Sequence, residues 1–322
     1  MSNITVAVLA PNGYADDLGK KGTSSDITFY NLKRGDATIT FIEPTRYPEK
    51  LSSLFYAISL ADRVVLVVDE INASFGETVL MLQSDGKSNG YLIFRNYLSP
   101  DLVAPLIKGT VLEKYEVLEH DPLGLREKLL DAAAKLTAHQ KAKDSGNGTI
   151  PIDHHFNVKG VGIVVLGCVA HGIIKKHDSL KLLPTTKTAQ VRSIQKHDDD
   201  ADTATAGDRV GLALKNLEPE DLDRGYVLTN DPAIRSSTTI TGKAELVKYW
   251  PAPLKEDMVL YVGHWMQFLP SRLTKVSADG DWKQPVLTLT LEKALVYPPG
   301  ARIVLHYLEG GKLRVVGTLV LS

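Results

Sequence analysis

The pattern of apolar residues changes once along the chain, near residue 150, and this change constrains the fold more than any other feature. Up to about residue 140, short runs rich in β-branched residues alternate with segments whose apolar residues repeat at helical spacing. Residues 4–9 and 63–69 form runs of the kind that is buried on both faces of a parallel sheet. Beyond residue 150 the apolar runs are short and are separated by Gly, Pro, Asp and Asn. The sequence therefore predicts an α/β domain with a parallel sheet, followed by all-β structure.

The length of the chain favours several domains. At 322 residues it is too long for one ordinary core. We predict an α/β domain over residues 1–142, a linker over 143–150, a β-barrel over 151–232 and a second β-barrel over 233–322. In the α/β domain we expect strands at 4–9, 37–42, 63–69 and 91–94, and helices at 47–60, 75–83, 101–107 and 122–139. In the β-barrels we expect strands at 161–169, 178–183, 187–194, 209–214, 241–248, 258–262, 286–291, 302–307 and 313–321.

Composition and charge are those of a globular protein, and the sequence shows no obvious targeting signal. Hydrophobic residues make up 43% and charged residues 23% of the chain, and the net charge is −1. This balance argues against a generic nucleic-acid coat protein, and it leaves room for a local RNA-binding face. No apolar run reaches the ~20 residues that a membrane span needs, and no signal peptide is visible at the start. We expect a cytoplasmic protein that binds neither membranes nor DNA.

A glycine-spaced motif opens the first predicted barrel. Residues 156–167 read Phe-Asn-Val-Lys-Gly-Val-Gly-Ile-Val-Val-Leu-Gly. This motif resembles the start of domain 2 in elongation factor Tu and in the selenocysteine-specific factor SelB, and the third predicted domain resembles SelB more faintly at 287–302. The resemblance to the translational GTPases implies a P-loop-like G domain followed by two β-barrels. Further matches in domain 2 follow in order and at family spacing, at 171–175, 191–195, 206–211 and 223–225.

The first domain departs from the family at the phosphate loop. A P-loop has the pattern G-x-x-x-x-G-K-[ST], in which backbone N–H groups hold phosphates, Lys neutralises charge and Ser/Thr binds Mg²⁺. In that frame, Ala10 and Ala15 stand at the glycine positions, with Gly13 between them. Asp16 stands at the lysine position and Asp17 at the metal-binding position. A carboxylate at the lysine position places negative charge beside a triphosphate, which opposes binding.

Two further nucleotide motifs are also altered. The family's D-x-P-G-H stands here as residues 43–47, with Glu43 first, Arg46 at the glycine and Tyr47 at the histidine that positions the attacking water. The guanine-reading N-K-x-D keeps Asn96 and has Ser99 in place of the aspartate. We therefore predict a degenerate G domain that has no catalytic residue, binds no cofactor, GTP and Mg²⁺ included, and does not hydrolyse GTP.

A second Gly-Lys pair offers an alternative phosphate loop. Residues 19–23 read Gly-Lys-Lys-Gly-Thr, and Gly13 precedes them. The spacing between the glycines is one residue too long, and Lys21 stands where Ser or Thr is needed. We interpret the segment as a solvated basic turn that leads into the family's switch I. An unconventional GTP-binding switch is the lower alternative.

Three residues of the first barrel suggest a ligand pocket. Asp153, His154 and Arg224 stand at positions that resemble the aminoacyl pocket of SelB. Such a trio can hold a charged aminoacyl group through charge-assisted hydrogen bonds. In the alternative interpretation, Arg224 is a turn or interdomain arginine paired with Asp221 or Asp223, and His154 is a surface histidine.

The resemblance implies a role in translation. We expect a protein that binds tRNA, aminoacyl-tRNA or the ribosome through its barrels. The alternative is a regulatory scaffold whose former G domain docks a protein partner, such as an active GTPase. We predict no metal site, because the histidines lack partners at ligand spacing. The basic residues that we consider for RNA binding are Lys175, Lys176, Lys181, Lys187, Arg192 and Lys196.

Overall fold

The fold consists of an α/β domain and two β-barrels. The computed structural model describes residues 2–140, 146–197, 199–278, 280–309, 311 and 313–322. Of the predicted linker 143–150, the first three residues lie outside the described residues, and the first strand of the first barrel begins at Thr149. None of the helices in these ranges is both long and apolar enough to cross a membrane.

A seven-stranded sheet forms the centre of the α/β domain. Its elements are β1 Ser2–Leu9, β2 Lys20–Ser24, β3 Thr28–Arg34, β4 Ala37–Glu43, α1 Leu51–Ser59, β5 Arg63–Val68, α2 Ala73–Asp85, β6 Gly90–Phe94, α3 Pro100–Ile107, β7 Glu116–Leu118 and α4 Pro122–Gln140. The strand order is β2-β3-β4-β1-β5-β6-β7. The strands from β4 to β7 run parallel in this order, whereas β3 is antiparallel to β4 and β2 is antiparallel to β3. The prediction of a parallel sheet is therefore wrong at this edge.

Neither β2 nor β3 is among the predicted strands, and β2 escapes sequence reasoning because it has no buried apolar run. Its five residues are Lys-Lys-Gly-Thr-Ser, and all but Thr23 are exposed. The segment that we interpret as a basic turn leading into switch I is thus an edge strand. Exposed lysines on an edge strand discourage pairing with a further strand.

The first barrel closes as a ring of six strands. Its strands are β8 Thr149–Val158, β9 Gly162–Cys168, β10 Ile173–Lys175, β11 Ser179–Leu183, β12 Lys187–Lys196, β13 Asp199–Ala201, β14 Thr203–Thr205, β15 Arg209–Lys215 and β16 Val227–Thr229. The ring order is β11-β16-β8-β9-β15-β12, and β11 pairs with β12 to close it. The motif's last glycine, Gly167, has a steric role, because a Cβ there would lie 2.5 Å from the Pro151 carbonyl oxygen.

The second barrel is also a closed ring of six strands. Its strands are β17 Arg235–Leu246, β18 Val259–His264, β19 Gln267–Ser277, β20 Val286–Tyr297, β21 Arg302–His306 and β22 Val315–Leu321. They follow the order β17-β20-β19-β18-β21-β22 around the barrel. The sequence analysis does not predict β19. Pro270, which lies inside β19, is a residue that argues against a strand interior.

One apolar cluster joins the α/β domain to the second barrel. Phe55 of α1 contacts His306, with 5.3 Å between ring centroids, and Phe268, with 5.9 Å. Gly263 makes room for this contact, because a Cβ there would lie 2.7 Å from the Phe55 ring. The second barrel is thereby packed directly on the helix that follows the former switch segment.

A partly buried ion pair strengthens the same interface. Arg314 of the second barrel donates to both carboxylate oxygens of Glu77 on α2, at 2.8 and 2.5 Å. The same guanidinium donates to the Pro48 carbonyl at 3.1 Å. Two-point contact of this kind fixes orientation as well as distance. The loop before α1 and the body of α2 are therefore held by one side chain of the second barrel.

The buried His306 makes the stability of the protein pH-dependent. Its Nδ1–H donates to the Tyr261 carbonyl at 3.2 Å, and burial lowers its pKa to about 3. The folded state then binds fewer protons than the unfolded state, so stability present above pH ~6.5 is lost progressively as the pH falls towards 3. Between about pH 7.5 and pH 5, we expect the wild type to lose about 2 kcal/mol more unfolding free energy than His306→Asn. Urea unfolding at each pH measures this difference.

His177→Asn is the control for this prediction. His177 is exposed and has a φ of 74°, a conformation that asparagine also adopts readily. We expect His177→Asn to keep the pH dependence of the wild type. Equal pH dependence in His306→Asn and the wild type would contradict the role given to His306.

Candidate functional site

The loop after β1 lacks the helix that a phosphate loop needs. Residues 10–27 connect β1 to β3 through a single 3-10 turn, Tyr14–Asp17, and the edge strand β2. Ala15 and Leu18 are fully buried and pack into the apolar cluster that includes α4. Phosphate sites of this fold use N–H groups at a helix N-terminus. The backbone of this loop therefore lacks the main source of attraction for an anion.

A carboxylate of the protein itself occupies the loop. Gly13 N–H donates to Glu43 Oε1 at 2.9 Å, and the Tyr30 hydroxyl donates to Oε2 at 3.1 Å. Glu43 is 2% exposed. Burial raises the pKa of Glu43, against the hydrogen bonds from Tyr30 and Gly13, which lower it. A negatively charged side chain thus takes a loop N–H group that could otherwise bind an anion.

The remaining P-loop positions add negative charge near Glu43. Asp16 and Asp17 are exposed in the 3-10 turn, and Ala10 is half-buried just beyond β1. The charge of Asp16 contributes to the raised pKa of Glu43. Two carboxylates close together repel a further anion strongly where water is partly excluded. The loop is therefore electrostatically unfavourable for a triphosphate.

The residues at the former switch positions, Arg46 and Tyr47, make structural contacts within the α/β domain. The Tyr47 hydroxyl donates to the Ser74 carbonyl at 2.9 Å, and burial followed by the charge of Glu77 raises the pKa of Tyr47. Arg46 is exposed and pairs with Glu49 at 3.3 Å. Tyr47 thus ties the turn after β4 to the start of α2.

The former base-reading position lies in a loop with left-handed backbone. Asn96 has a φ of 53° and donates to the Asp69 carbonyl at 3.4 Å. Tyr97 follows with a φ of 63° and a fully exposed side chain. Asn96 therefore joins the loops after β5 and β6, two neighbouring parallel strands.

The three predicted pocket residues lie together where the first barrel meets the α/β domain. His154 Nδ1 lies 2.8 Å from Asp153 Oδ1, and Arg224 Nε donates to the Asp153 carbonyl at 3.1 Å. Arg224 Nη2 lies 3.4 Å from His154 Nε2. The structure thus brings together residues that are up to 71 positions apart.

Arg209, which the sequence analysis does not single out, lies at the centre of this site. Its guanidinium binds both carboxylate oxygens of Asp153, and both side chains are almost completely buried. The guanidinium carbon lies 3.5 Å above the centroid of the Phe29 ring of β3. Burial raises the pKa of Asp153, but Arg209 and His154 together hold it below its ordinary value. The sequence signal that could have revealed Arg209 is an arginine at the start of β15, followed by five residues without a polar side chain.

The turn between β2 and β3 fills the space that Arg224 faces. Arg224 donates through Nη1 to Asp26 Oδ1 at 2.5 Å and through Nη2 to Ser25 Oγ at 3.0 Å. Lys50 donates to Asp26 Oδ2 at 2.6 Å. Burial raises the pKa of Asp26, but the hydrogen bonds from Lys50 and Arg224 outweigh it and lower the pKa to about 2. The two terminal nitrogens of the Arg224 guanidinium therefore donate to the α/β domain.

The acidic neighbours of Arg224 in sequence have other cationic partners. Asp221 pairs with Lys187 at 2.5 Å, and Asp223 pairs with Lys293 at 2.7 Å. Asp223 also accepts the backbone N–H of Arg224 at 2.8 Å. The guanidinium of Arg224 is thus an interdomain contact whose acidic partner is Asp26.

No cluster of three or more metal-ligating side chains occurs in the described part of the chain. His171 Nε2 lies 3.1 Å from Asp231 Oδ2, which is a pair and not a ligand set. The side chains around Arg209 are hydrogen-bonded to one another, so this site supports the contact between two domains.

The fold and the loop after β1 define a class of protein: a translational GTPase architecture whose phosphate loop is rebuilt around a carboxylate. Residues 162–229 match the family model for elongation factor Tu domain 2. An uncharacterized protein of Methanocaldococcus jannaschii is 35% identical over 319 residues, which cover 98% of this chain and 99% of that protein. The selenocysteine-specific elongation factor of the same organism is 26% identical over 290 residues, or 83% of this chain and 61% of that factor. The chain belongs to the translational GTPase family of the elongation factor Tu and SelB type.

Solved structures share the same fold. The apo form of SelB from Methanococcus maripaludis matches with a TM-score of 0.81 and 20% identity, covering all of this chain and 80% of that one. A bacterial selenocysteine-specific elongation factor matches with a TM-score of 0.79 and 19% identity, covering all of this chain and 58% of that one. These matches confirm the predicted fold class, an α/β domain followed by two β-barrels in the arrangement of elongation factor Tu.

The Asp153–Arg209 pair predicts a large effect of a single substitution. Asp153→Ala leaves the buried Arg209 guanidinium without a carboxylate, so we expect a loss of about 3–5 kcal/mol of unfolding free energy. Removing both charges in Asp153→Ala/Arg209→Met should recover much of that loss. Urea unfolding measures the free energy of unfolding of the wild type and of each variant.

Glu127→Ala is the matched control. Glu127 pairs with Arg34 on the surface, where both side chains are more than 60% exposed. We expect a loss below about 1 kcal/mol. A loss in Asp153→Ala no greater than in Glu127→Ala would show that the buried pair contributes little.

Proposed function

We propose that this chain is a cytoplasmic, translation-associated protein that binds tRNA, aminoacyl-tRNA or the ribosome, and that it neither binds nor hydrolyses GTP. The observation that carries this proposal is the Glu43 carboxylate, hydrogen-bonded to the Gly13 N–H in the loop after β1. The barrels retain the family's pattern while this loop does not. Barrels of this type belong to elongation factors in the relatives described above, which favours a partner from the translation apparatus.

Binding of GTP would require several unfavourable changes. The triphosphate would have to displace the buried carboxylate of Glu43, and Asp16 would remain beside it. Residues 10–19 contain neither the N-terminus of an α-helix nor a lysine to compensate. A solved SelB structure holds a GTP analogue, so the shared fold allows nucleotide binding, and the difference lies in this loop.

The pocket at Arg224 bears on the aminoacyl part of the proposal. A ligand carboxylate could bind Arg224 only by taking the place of Asp26, which is already paired with both Arg224 and Lys50. Exchanging one carboxylate for another gains little free energy. Recognition of the tRNA body or of ribosomal RNA is therefore favoured over recognition of an anionic amino acid.

Calorimetry with GTP and GDP in the presence of Mg²⁺ tests the nucleotide part. We expect no binding up to millimolar nucleotide, because both the electrostatics and the backbone of the loop oppose it. A nucleotide-binding elongation factor is the positive control. Micromolar affinity in the wild type would contradict the proposal.

Filter binding to total tRNA and co-sedimentation with ribosomes test the RNA part. We expect submillimolar affinity for at least one of them at moderate salt, with affinity falling as salt rises because counterions are released from the RNA. The absence of binding to both would overturn this part of the proposal and leave the nucleotide part standing.

A further inference from the structure

The loops after β1, β5, β6 and β7 lie along one edge of the α/β sheet, because these strands are parallel neighbours. Open α/β sheets bind their ligands at this carboxyl edge. Here the edge carries several exposed carboxylates that form no ion pair in the described part of the chain. We call this surface the acidic edge, and these carboxylates are Asp16, Asp17, Glu70, Glu119 and Asp121.

Few cations compensate the charge of the acidic edge. Arg95, in the loop after β6, has its Nε 3.6 Å from Asp69 Oδ1. Arg126 of α4 donates to the backbone carbonyl of Asp17. Arg46, in the loop after β4, already has an acidic partner. Carboxylates therefore outnumber guanidinium groups at this edge, so its field attracts cations and repels anions.

Two buried polar atoms at the acidic edge have no hydrogen-bond partner among the described residues. They are the Tyr14 hydroxyl and Asp69 Oδ1. Tyr14 is 7% exposed, and its ring lies 5.6 Å from that of His120 in the loop after β7. Burial raises the pKa of Tyr14, and the charges of Arg95, Asp17 and Asp69 also act on its hydroxyl. Buried polar atoms are nearly always paired, so these two oxygens point to a donor from outside the chain.

An aromatic side chain projects from the same edge. Tyr97 is fully exposed, and its φ of 63° follows a φ of 53° at Asn96. Two successive left-handed residues other than glycine are uncommon and persist where the surroundings hold them. Asn96 donates to the Asp69 carbonyl at 3.4 Å, so the loop that carries Tyr97 is tied to the loop that carries Asp69. A tyrosine ring held in the open is suited to stack on a cation.

We propose that the acidic edge docks an arginine-rich segment of a protein partner. One guanidinium donates to the Tyr14 hydroxyl and to Asp69 Oδ1, and a second stacks on the Tyr97 ring. Arginine fits better than lysine, because its planar group offers five donors and is more weakly hydrated. From β1 to β7 the edge spans about 14 Å, or three strand spacings of ~4.8 Å, which an extended segment of about five residues covers.

This inference goes beyond the proposed binding of RNA and does not depend on it. The carboxylates of the acidic edge repel phosphate, so this surface and an RNA-binding surface are separate. It also differs from a docking surface centred on Arg46 and Tyr47, the altered switch positions, because Tyr47 is hydrogen-bonded within the domain.

Fluorescence anisotropy with a labelled peptide of about five Arg-Gly repeats, long enough to cover the edge, tests the surface. We expect saturable binding by the wild type that weakens as salt rises. Tyr14→Phe removes only a hydroxyl without a partner, so it should leave thermal stability unchanged or higher, yet weaken peptide binding about tenfold. Tyr97→Asn keeps a residue that adopts left-handed backbone and should weaken binding about two- to fivefold.

Charge reversal tests the electrostatic part. Asp17→Lys/Glu119→Lys, on either side of Tyr14, should weaken peptide binding at least about tenfold. The matched control is Glu256→Lys/Glu292→Lys, which changes the net charge equally at two exposed positions of the second barrel. We expect the control to weaken binding less than about threefold. Circular dichroism checks that all variants are folded.

The remaining outcomes separate this inference from the proposed function. No peptide binding by the wild type overturns the docking surface and leaves RNA binding untouched. Equal losses in Asp17→Lys/Glu119→Lys and in the control reduce the effect to net charge and also overturn it. Unchanged affinity in Tyr14→Phe rules out the contact with the buried hydroxyl. Competition by spermidine at the same concentration as unlabelled peptide would assign the edge to small polycations instead of a protein.

Discussion

The buried guanidinium of Arg209 determines how the first barrel sits on the rest of the molecule. A charge in the interior is tolerated only with a carboxylate partner and a well-fitted surrounding. Asp153 supplies the carboxylate from within the barrel, but the Phe29 ring that covers the guanidinium belongs to the α/β domain. The Arg209–Asp153 pair is therefore fully covered only when the first barrel is packed against the α/β domain. Once it is docked, His154 and Arg224 necessarily face the turn between β2 and β3.

The same requirement for charge compensation explains the loop after β1. Its Gly13 N–H needs an acceptor, and the buried Glu43 needs donors, so each satisfies the other. A phosphate-binding loop leaves its N–H groups for the ligand. Here the partner is covalently part of the chain, and its effective concentration is always high. An external anion would compete with an acceptor that pays almost no entropic cost to bind.

Most of the fold follows from the sequence, whereas the interdomain site follows only in part. The change in periodicity near residue 150 and the motif at 156–167 predict the domain types and the first barrel, because both are local patterns. Several strands are missed, β3 and β7 among them. Two have a clear reason, since β2 is polar and β19 contains Pro270. The partnership of Arg209 with Phe29 joins residues 180 positions apart. No local pattern encodes such a contact, so only the folded chain reveals why an arginine starts an apolar strand.

A molecular switch needs two states that a ligand can distinguish by affinity. The contacts that would have to change here are the hydrogen bonds of Glu43 with Gly13 and of Arg314 with Glu77. On our proposal, the region that acts as a switch in the family no longer changes conformation with nucleotide. The absence of an α-helix from residues 10–19 is part of that change, because it removes the N–H groups that would bind the phosphates of a nucleotide. The same segment instead continues into β2, which pairs with β3 and forms the edge of the sheet.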